Sequence, residues 1–398
     1  MRTVFLVLLA SAAAAQTFDF ASTSPEPYSA QSGYGFEARV TAAGGCTSSA
    51  QGPFYFSVRV PGEGNYKVTV KLGDPSAAAV TTVKAELRRL MLESIRTAAG
   101  QFETRSFIVN VRTPRYPGGE VQLKDREKAS EAWAWDDRLT LEFIGDHPSV
   151  CKIAIEKAAV PTIYIVGDST STDQPLEPYN SWGQMLTRFF QPQVAVANHG
   201  ESGESLRGFV GEGRLAKLMS VIRPGDYLLI QMGHNDQKEK GEGVGAFTTY
   251  KADLERFIVE TRRHGATPIL VTSMHRLKFD EQGKIVNTLG DYPEAVRQVG
   301  REQSVTVLDL NAMSKPFYEA LGLTDAHQAF AGSDTTHHSD YGSYEFARMV
   351  VDAIRRQKLP LAQYLFDTPP FDPAHPDPPA QFAVPAEPPR DANKPYGN

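Results

Sequence analysis

Long apolar runs and an excess of positive charge are both missing from this sequence. A transmembrane helix needs about 20 consecutive apolar residues, and no segment after the N-terminus reaches that length. The 41 basic residues are outnumbered by 47 acidic ones, for a net charge of −6, and they form no basic stripe. We therefore expect neither a membrane-embedded protein nor one with a nucleic-acid partner.

Cysteine is also scarce, with Cys46 and Cys151 as the two cysteines among 398 residues. They lie near the two ends of a region rich in predicted strands, where the first and last strands of a domain often meet. An exported chain can oxidise such a pair, but the sequence does not give the distance between the two Cα atoms. A disulfide and two buried free thiols both remain open.

The N-terminus has the pattern of a secretory signal. The stretch "MRTVFLVLLASAAAA" begins with a basic residue, Arg2, continues with an apolar run from Val4 to Ala10, and ends in small residues. Cleavage is predicted after Ala15, which makes residues 1–15 a signal peptide. A membrane anchor is the weaker interpretation, because the apolar core is much shorter than a bilayer-spanning helix. We expect a secreted or periplasmic protein.

The chain is longer than one hydrophobic core usually serves, and its pattern divides it into regions. Residues 16–157 contain short runs that alternate with period two, such as "FYFSVRV" and "YKVTVKL", and these predict an accessory β-sandwich domain. From 161 to 365, strands alternate with amphipathic helices, which predicts an α/β domain with a mostly parallel sheet. Residues 366–398 are rich in proline and predict an extended or disordered tail outside the core.

Polar residues follow successive strands of the α/β region at the point where each strand ends. The segments are "GDS" (167–169), "NHGESGES" (198–205), "GHND" (233–236) and, before the last helix, "DTTHHSDYGS" (334–343). Because the carboxyl ends of parallel strands share one edge of a sheet, we expect these segments to converge. A simple turn would explain each segment alone, but four at the same structural place indicate a functional site.

These segments contain the residue types of serine-based hydrolysis. Ser169 can attack a carbonyl once a base removes its proton, and the base needs a third group to hold its tautomer. His337 is predicted to be the base, and Asp334, three residues earlier, to orient it. The backbone N–H groups of Ser169 and Gly203 and the side-chain amide of Asn235 are predicted to donate to the oxyanion.

At these positions the chain resembles the SGNH/GDSL hydrolase superfamily. The stretches "GDSTSTDQP", "GHNDQKE" and "DTTHHSDYGSYE" are similar to bacterial rhamnogalacturonan acetylesterases. The chain has no GxSxG elbow, which agrees with this superfamily, where the serine follows the first strand. The N-terminal region is similar to galactose-binding-like β-sandwich modules.

The resemblance covers about residues 161–360 and implies a flavodoxin-like three-layer α/β/α fold that works without a cofactor or a metal. It implies acetylated pectic polysaccharide or oligosaccharide as the substrate. It also assigns catalytic roles to Ser169, Asp334 and His337, and oxyanion roles to Ser169, Gly203 and Asn235.

Two further residues are candidates for contact with the substrate. The Asp-x-x-His spacing of the family selects His337 as the base, so the adjacent His338 is expected to face substrate or solvent. Tyr179 follows the nucleophile segment closely and is a candidate to stack on a sugar ring at the rim of the site. His234 stands beside Asn235 but receives no predicted role.

Three other functions remain open at this point. An esterase of the same superfamily could act on another acyl ester, including a lipid ester. The acidic residues and histidines could instead hold two metal ions of a phosphoesterase, although the chain lacks an Asp-x-His after the first strand and a closing Gly-His-x-His. The third is a non-catalytic carbohydrate-binding protein, and the intact set of five site residues argues against it.

Overall fold

The computed structural model describes residues 15–387 apart from 23–24, 38–39 and 50–51. The predicted signal peptide, except Ala15, and the last part of the predicted tail, residues 388–398, lie outside the described residues. Within the described part, no helix combines the length and the apolar character needed to cross a bilayer.

The N-terminal region consists of antiparallel strands in two facing sheets. One sheet has the order β3-β4-β13-β6-β9, with β1 also paired to β13, and the other has the order β2-β5-β12-β7-β8, while β10 and β11 form a separate hairpin. The strands are β1 Gln16–Asp19, β2 Tyr34–Phe36, β3 Thr41–Ala43, β4 Cys46–Ser48, β5 Phe54–Arg59, β6 Gly64–Leu72, β7 Ala79–Ala85, β8 Arg89–Thr97, β9 Glu103–Val111, β10 Arg115–Tyr116, β11 Gly119–Glu120, β12 Arg138–Ile144 and β13 Ser149–Lys157.

The two sheets enclose one hydrophobic core. Side chains at every second position of a strand point to the same face, and this places Val68 of β6 and Ile153 of β13 opposite Phe56 of β5 and Leu141 of β12. All four are at most 1% exposed. The period-two alternation seen in the sequence is therefore the pattern of a sandwich with one face of each sheet buried.

Cys46 and Cys151 form a disulfide. The register of β4 and β13 pairs Thr47 with Val150, so the next positions along the two antiparallel strands carry the cysteines to the same place. The structure therefore selects the bridge over two free thiols. It closes a loop that includes most of the sandwich.

The second region is a three-layer α/β/α domain around a parallel sheet. Its strand order, β15-β14-β16-β17-β18, is the 2-1-3-4-5 order of flavodoxin-like folds. The strands are β14 Thr162–Gly167, β15 Ala195–Asn198, β16 Tyr227–Gln231, β17 Thr267–Val271 and β18 Thr306–Leu308. The helices are α1 Trp182–Leu186, α2 Leu206–Gly211, α3 Arg214–Val221, α4 Lys251–Arg263, α5 Tyr292–Gln303, α6 Leu310–Asp325 and α7 Asp340–Arg356.

Helices cover both faces of this sheet. Ile163 and Ile165 of β14 pack toward α1, α6 and α7, whereas Tyr164 and Val166 pack toward α2, α3, α4 and α5. Because both faces are buried, the strand reads as a continuous apolar run rather than an alternation. This arrangement confirms the predicted fold class.

Two segments of the sandwich pack against the α/β domain. The first is the β7–β8 turn, residues 86–88, where the carbonyl of Leu87 accepts a 2.7 Å hydrogen bond from Gln184. The second, which we call the docking segment, is residues 121–135 between β11 and β12. Its Glu127 forms a fully buried ion pair with Arg214 of α3, with 2.6 Å between Oε2 and Nη2. The two domains therefore share polar as well as apolar contacts.

The described part of the predicted tail, residues 366–387, packs on the α/β domain. Phe371 and Val384 are 3% and 6% exposed and belong to the same hydrophobic cluster as α7. Arg356 of α7 donates to the carbonyl of Phe371 at 2.9 Å. The prediction that this stretch lies outside the core is wrong, because prolines prevent regular pairing without preventing the apolar residues between them from being buried.

Candidate active site

The predicted site residues lie at one edge of the parallel sheet. Ser169 follows β14, Gly203 follows β15, and Asn235 follows β16. His337 lies just before α7, whose N-cap, Ser339, accepts a hydrogen bond from the N–H of Gly342. Strands β15 and β16 flank β14 on opposite sides, so the site occupies the point where the strand order reverses, the usual ligand position in open α/β sheets.

Ser169, His337 and Asp334 form a continuous chain of hydrogen bonds. His337 Nε2 lies 2.8 Å from Ser169 Oγ, and His337 Nδ1 lies 2.9 Å from Asp334 Oδ2. All three residues are buried, with exposures of 3%, 1% and 6% in that order. These distances allow a proton to pass from the hydroxyl to the imidazole while the carboxylate holds the ring.

Asp334 is held as a carboxylate by several donors. Its Oδ1 accepts backbone hydrogen bonds from Thr336 at 2.7 Å and His337 at 3.0 Å. Burial alone would raise the pKa of Asp334, but hydrogen bonds from the His337 side chain and from these backbone groups outweigh it and keep the pKa below its usual range. Asp334 therefore carries, at neutral pH, the negative charge needed to stabilise an imidazolium.

The turn that carries Ser169 is anchored by the preceding carboxylate. Asp168 is fully buried and accepts hydrogen bonds from the N–H and the hydroxyl of Thr170, at 3.0 and 2.7 Å. His234 lies 3.3 Å away through Nδ1, and its Nε2 lies 3.1 Å from the carbonyl of Met274. Burial works to raise the pKa of Asp168, but His234 and Thr170 outweigh it and lower the pKa. His234, without a role in the sequence analysis, thus ties the third segment to the first.

The groups predicted to receive the oxyanion are available. Gly203 has a φ of +82°, a conformation that glycine adopts without strain. Neither its N–H nor that of Ser169 donates to another group among the described residues. Asn235 uses one amide N–H on the carbonyl of Glu204 at 3.0 Å, and Lys238 donates to its side-chain oxygen at 3.2 Å. The amide is therefore oriented, with its second N–H left for a ligand.

Gln174 links the nucleophile to the oxyanion segment, a contact that the sequence analysis missed. Its Nε2 donates to the carbonyl of Ser169 at 2.7 Å and lies 3.4 Å from the hydroxyl of Ser202. The residue is 3% exposed. Its position inside "GDSTSTDQP" was the available signal, because a long polar side chain five residues after the nucleophile can reach back to it.

The two candidate substrate residues have different surroundings. Tyr179 is partly exposed, and its ring meets that of His337 edge-on with 5.9 Å between centroids, which places it at the rim. His338 is 1% exposed. Its Nε2 lies 2.8 Å from the hydroxyl of Tyr318, and its ring packs on Phe330 and Phe346.

The prediction that His338 faces substrate or solvent is therefore wrong. Adjacent residues before a helix point in different directions, and the side chain of His338 is buried among the aromatic residues behind the site. The role of Tyr179 as a stacking residue stays a prediction.

One group of carboxylates has a spacing suited to a metal ion. Oxygens of Glu127, Glu131 and Glu201 lie within 4.8 Å of one another where the docking segment meets the α/β domain. Arg126 and Arg214 already supply positive charge there, since Arg126 pairs with Glu201 and Arg214 pairs with Glu127. The cluster is therefore explained by ion pairs between the domains.

Comparison with known proteins agrees with this geometry. The chain is 39% identical over 218 residues to the rhamnogalacturonan acetylesterase RhgT of Bacillus subtilis, covering 51% of this chain and 93% of that protein. It is 36% identical over 213 residues to the probable rhamnogalacturonan acetylesterase YesY of the same organism, covering 50% and 95%. These two matches each span about half of the chain.

A third relative extends over both domains. The uncharacterized esterase YxiM of Bacillus subtilis is 27% identical over 374 residues, covering 86% of this chain and 91% of that protein. Its solved structure superposes with a TM-score of 0.50 at 25% identity, over 87% of this chain and 99% of the other. Residues 165–346, which contain all the predicted site residues, match the GDSL-like lipase/acylhydrolase family. The protein belongs to the GDSL-like lipase/acylhydrolase family and is a carboxylic-ester hydrolase.

Proposed function

We propose that this protein removes acetyl groups from pectic polysaccharide of the rhamnogalacturonan type. The observation that carries the proposal is the hydrogen-bonded chain from Ser169 through His337 to Asp334, in a protein 39% identical to a rhamnogalacturonan acetylesterase. The chemistry follows from the three side chains, and the choice of substrate follows from the relatives.

The reaction has two halves that share one base. Ser169 Oγ attacks the acetyl carbonyl and passes its proton to His337 Nε2, while Asp334 stabilises the imidazolium. The negative oxygen that forms on the carbonyl accepts hydrogen bonds from the N–H groups of Ser169 and Gly203 and from the amide of Asn235. Collapse releases the sugar hydroxyl, which takes the proton back from His337.

Water then completes the cycle. His337 removes a proton from a water molecule, which attacks the acetyl–Ser169 ester through a second tetrahedral oxyanion held by the same donors. Release of acetate returns the proton to Ser169 Oγ. The two half-reactions use the same groups, and the site residues supply every proton transfer.

Substrate choice is tested by a screen with a matched inactive variant. Acetate release would be measured from acetylated rhamnogalacturonan, acetylated xylan and a long-chain p-nitrophenyl ester, with wild-type protein and with Ser169→Ala. We expect the pectic substrate to give the highest turnover, and Ser169→Ala to remove turnover on all three. Equal or higher turnover on the long-chain ester would contradict the proposed substrate, and a wild type no faster than Ser169→Ala would favour a binding protein.

A chelator distinguishes this mechanism from that of a metal-dependent phosphoesterase. The proposed chemistry uses a serine, a histidine and backbone donors, so acetate release should be unchanged after incubation with EDTA and gel filtration. Loss of activity that returns on addition of a divalent cation would contradict the serine mechanism.

We also propose that the protein is exported. The support is the pattern of residues 1–15, with a basic start, an apolar run and small residues. N-terminal sequencing of protein recovered from the periplasm or the culture medium should begin at Gln16. Recovery of the chain in the cytoplasm with its first residues intact would contradict export.

A further inference from the structure

The docking segment, residues 121–135 of the sandwich, reaches the oxyanion side of the site. Besides the ion pair between Glu127 and Arg214, the N–H of Gln122 donates to the carbonyl of Glu212 at 2.9 Å. These two contacts place the segment on the junction between α2 and α3. The loop between β15 and α2, which carries Gly203, precedes this junction in the chain.

Two cations of this segment bind one carbonyl of that loop. Lys124 Nζ donates to the carbonyl oxygen of Ser202 at 3.1 Å, and Arg126 Nη2 donates to the same oxygen at 2.5 Å. Each cation also pairs with a buried carboxylate that flanks Ser202 in the sequence. Arg126 pairs with Glu201, which precedes Ser202, and Lys124 pairs with Glu204, which follows it. Residues 201–204 are thus clamped at their backbone and at both ends.

The carbonyl in question belongs to the peptide unit whose N–H is that of Gly203. A peptide bond is planar and trans, so its C=O and N–H point in opposite directions. Donors that hold the Ser202 oxygen toward the docking segment therefore aim the Gly203 N–H away from it. Gln174, which contacts both Ser169 and Ser202, shows that the nucleophile lies beside this loop.

This peptide needs to be held from outside. Gly203 has no side chain and tolerates either sign of φ, so the peptide before it can rotate at little cost. Two charged donors on the carbonyl oppose that rotation, and they also polarise the peptide so that its N–H becomes a stronger donor.

We propose that Lys124 and Arg126 are positioning residues of the oxyanion site, through which the sandwich domain controls the turnover of the α/β domain. The inference rests on the proposed function, in which the Gly203 N–H binds the oxyanion. It assigns the sandwich a part in catalysis that does not depend on the substrate it meets.

The test is a set of substitutions measured on p-nitrophenyl acetate, which carries the acetyl group of the proposed substrate but has p-nitrophenol in place of the sugar. Lys124→Met and Arg126→Met should each lower kcat about tenfold, and the double variant should approach the 10²–10³-fold loss typical of one missing oxyanion donor. KM should change less than about threefold, because ground-state binding does not use the oxyanion donors. Lys124→Arg, which keeps a cation at the carbonyl, should retain most of the kcat.

Lys128→Met is the matched control. Lys128 belongs to the same segment and carries the same charge, but it is exposed and pairs with Asp125 within the segment. Its kcat and its thermal midpoint should equal those of the wild type. Lys124→Met is also the variant that stays informative if Arg126→Met does not fold, because burial raises the pKa of Glu204 to about 7 and this carboxyl can take up a proton when its cation is removed.

A boronic acid gives a readout that a purely structural role would not move. It adds to the serine oxygen as a tetrahedral anion, so its affinity should fall by the same factor as kcat in each variant. A folded double variant with kcat and boronate affinity within twofold of the wild type would overturn the inference. If Ser169→Ala removes hydrolysis while the double variant does not reduce it, the positioning role fails and the proposed function stands. A wild type no faster than Ser169→Ala overturns both.

Discussion

The two sides of the candidate site are held by different parts of the molecule. On the proton-transfer side, Asp334 and His337 bind each other and Ser169 through side chains within the α/β domain. On the oxyanion side, the peptide before Gly203 is held by Lys124 and Arg126 from the sandwich. Side chains that carry their own donors and acceptors can orient one another locally, whereas a glycine peptide has to be oriented by its surroundings.

The sandwich also sends a cation toward the proton-transfer side, with a different target. Arg88 of the β7–β8 turn donates to the carbonyl of Tyr179 at 2.8 Å and pairs with Glu177 and Asp340. Arg88 therefore supports the rim of the site beside His337. It contacts Tyr179, whose ring meets that of His337, and not the reacting groups themselves. The comparison predicts a larger kinetic effect for the contact on the oxyanion peptide than for the contact on the rim.

The largest effect is expected from breaking the proton-transfer side at its base. His337→Ala should lower kcat by at least about 10⁴-fold, because the serine hydroxyl then keeps its proton while the oxyanion donors remain. The measurement is acetate release at saturating substrate. His327→Ala, at an exposed histidine, should have no effect, and a His337→Ala variant within about tenfold of wild type would exclude His337 as the base.

The next effect is expected from removing one donor on the oxyanion side. Asn235→Ala should lower kcat by about 10²–10³-fold with little change in KM, because its amide interacts with charge that appears after the substrate has bound. Steady-state kinetics on p-nitrophenyl acetate would measure this. Asn287→Ala, at an exposed asparagine, is the control. A change confined to KM would place Asn235 in substrate binding instead.

Arg88→Met should affect stability more than turnover. Arg88 is 4% exposed, and its removal leaves Glu177 and Asp340 without their cation, which typically costs about 3–5 kcal/mol when a buried pair loses one partner. We expect kcat within about tenfold of wild type, because the rim rather than the reacting groups loses support. Denaturant unfolding measures the first quantity and steady-state kinetics the second.

The control for Arg88→Met is Arg96→Met, at an exposed position of β8. It should leave both stability and kcat unchanged. A loss of kcat in Arg88→Met as large as that of Asn235→Ala would remove the distinction between the two contacts of the sandwich.

The smallest effect on kcat is expected from substitution of His338, which should instead change how the free energy of unfolding depends on pH. Burial, with smaller electrostatic contributions from the neighbouring His337 and His234, lowers the pKa of His338 from 6.5 to about 3. Below pH 6.5 the unfolded chain takes up a proton that the folded chain refuses, so the free energy of unfolding falls as the pH falls through this window. The slope from this residue alone is about 1.4 kcal/mol per pH unit.

His338→Gln should therefore flatten the dependence of stability on pH. Guanidinium unfolding at several pH values between 7.5 and 4.5 would be compared for the wild type and His338→Gln. This range crosses the unfolded-state pKa of 6.5 and stays above the folded-state pKa of about 3. The difference between the two curves isolates this group from the other buried acids and bases. Curves that stay parallel would show that His338 titrates alike in the folded and unfolded states, contrary to its burial beside Tyr318.

Much of the fold and of the proton-transfer side was predictable because their signals are local. The change from period two to alternating strands and helices depends on backbone geometry within a few residues. Asp334 and His337 are three residues apart, so their contact needs only the conformation of one loop. The position of Ser169 at the end of a buried strand predicted which edge of the sheet would carry the chemistry.

Other features depend on contacts between distant parts of the chain. His338 stands beside His337 in sequence, yet it is buried against Tyr318, twenty residues away. The proline-rich stretch was predicted to lie outside the core, but Phe371 and Val384 found apolar surface on the α/β domain. Composition describes what a segment prefers on its own, and it does not say which surface will be next to it.

From sequence alone, then, came the class of each domain, the sheet edge that carries the site, and the serine, histidine and aspartate placed there. Tertiary structure alone decided the disulfide, the burial of His338 and the hold of Lys124 on a carbonyl 78 residues away. Periodicity and short spacings depend on neighbouring residues, so they can be read from the sequence without knowledge of the fold. A contact across two domains exists only after both have packed, because the free energy that orders it comes from burying both surfaces together.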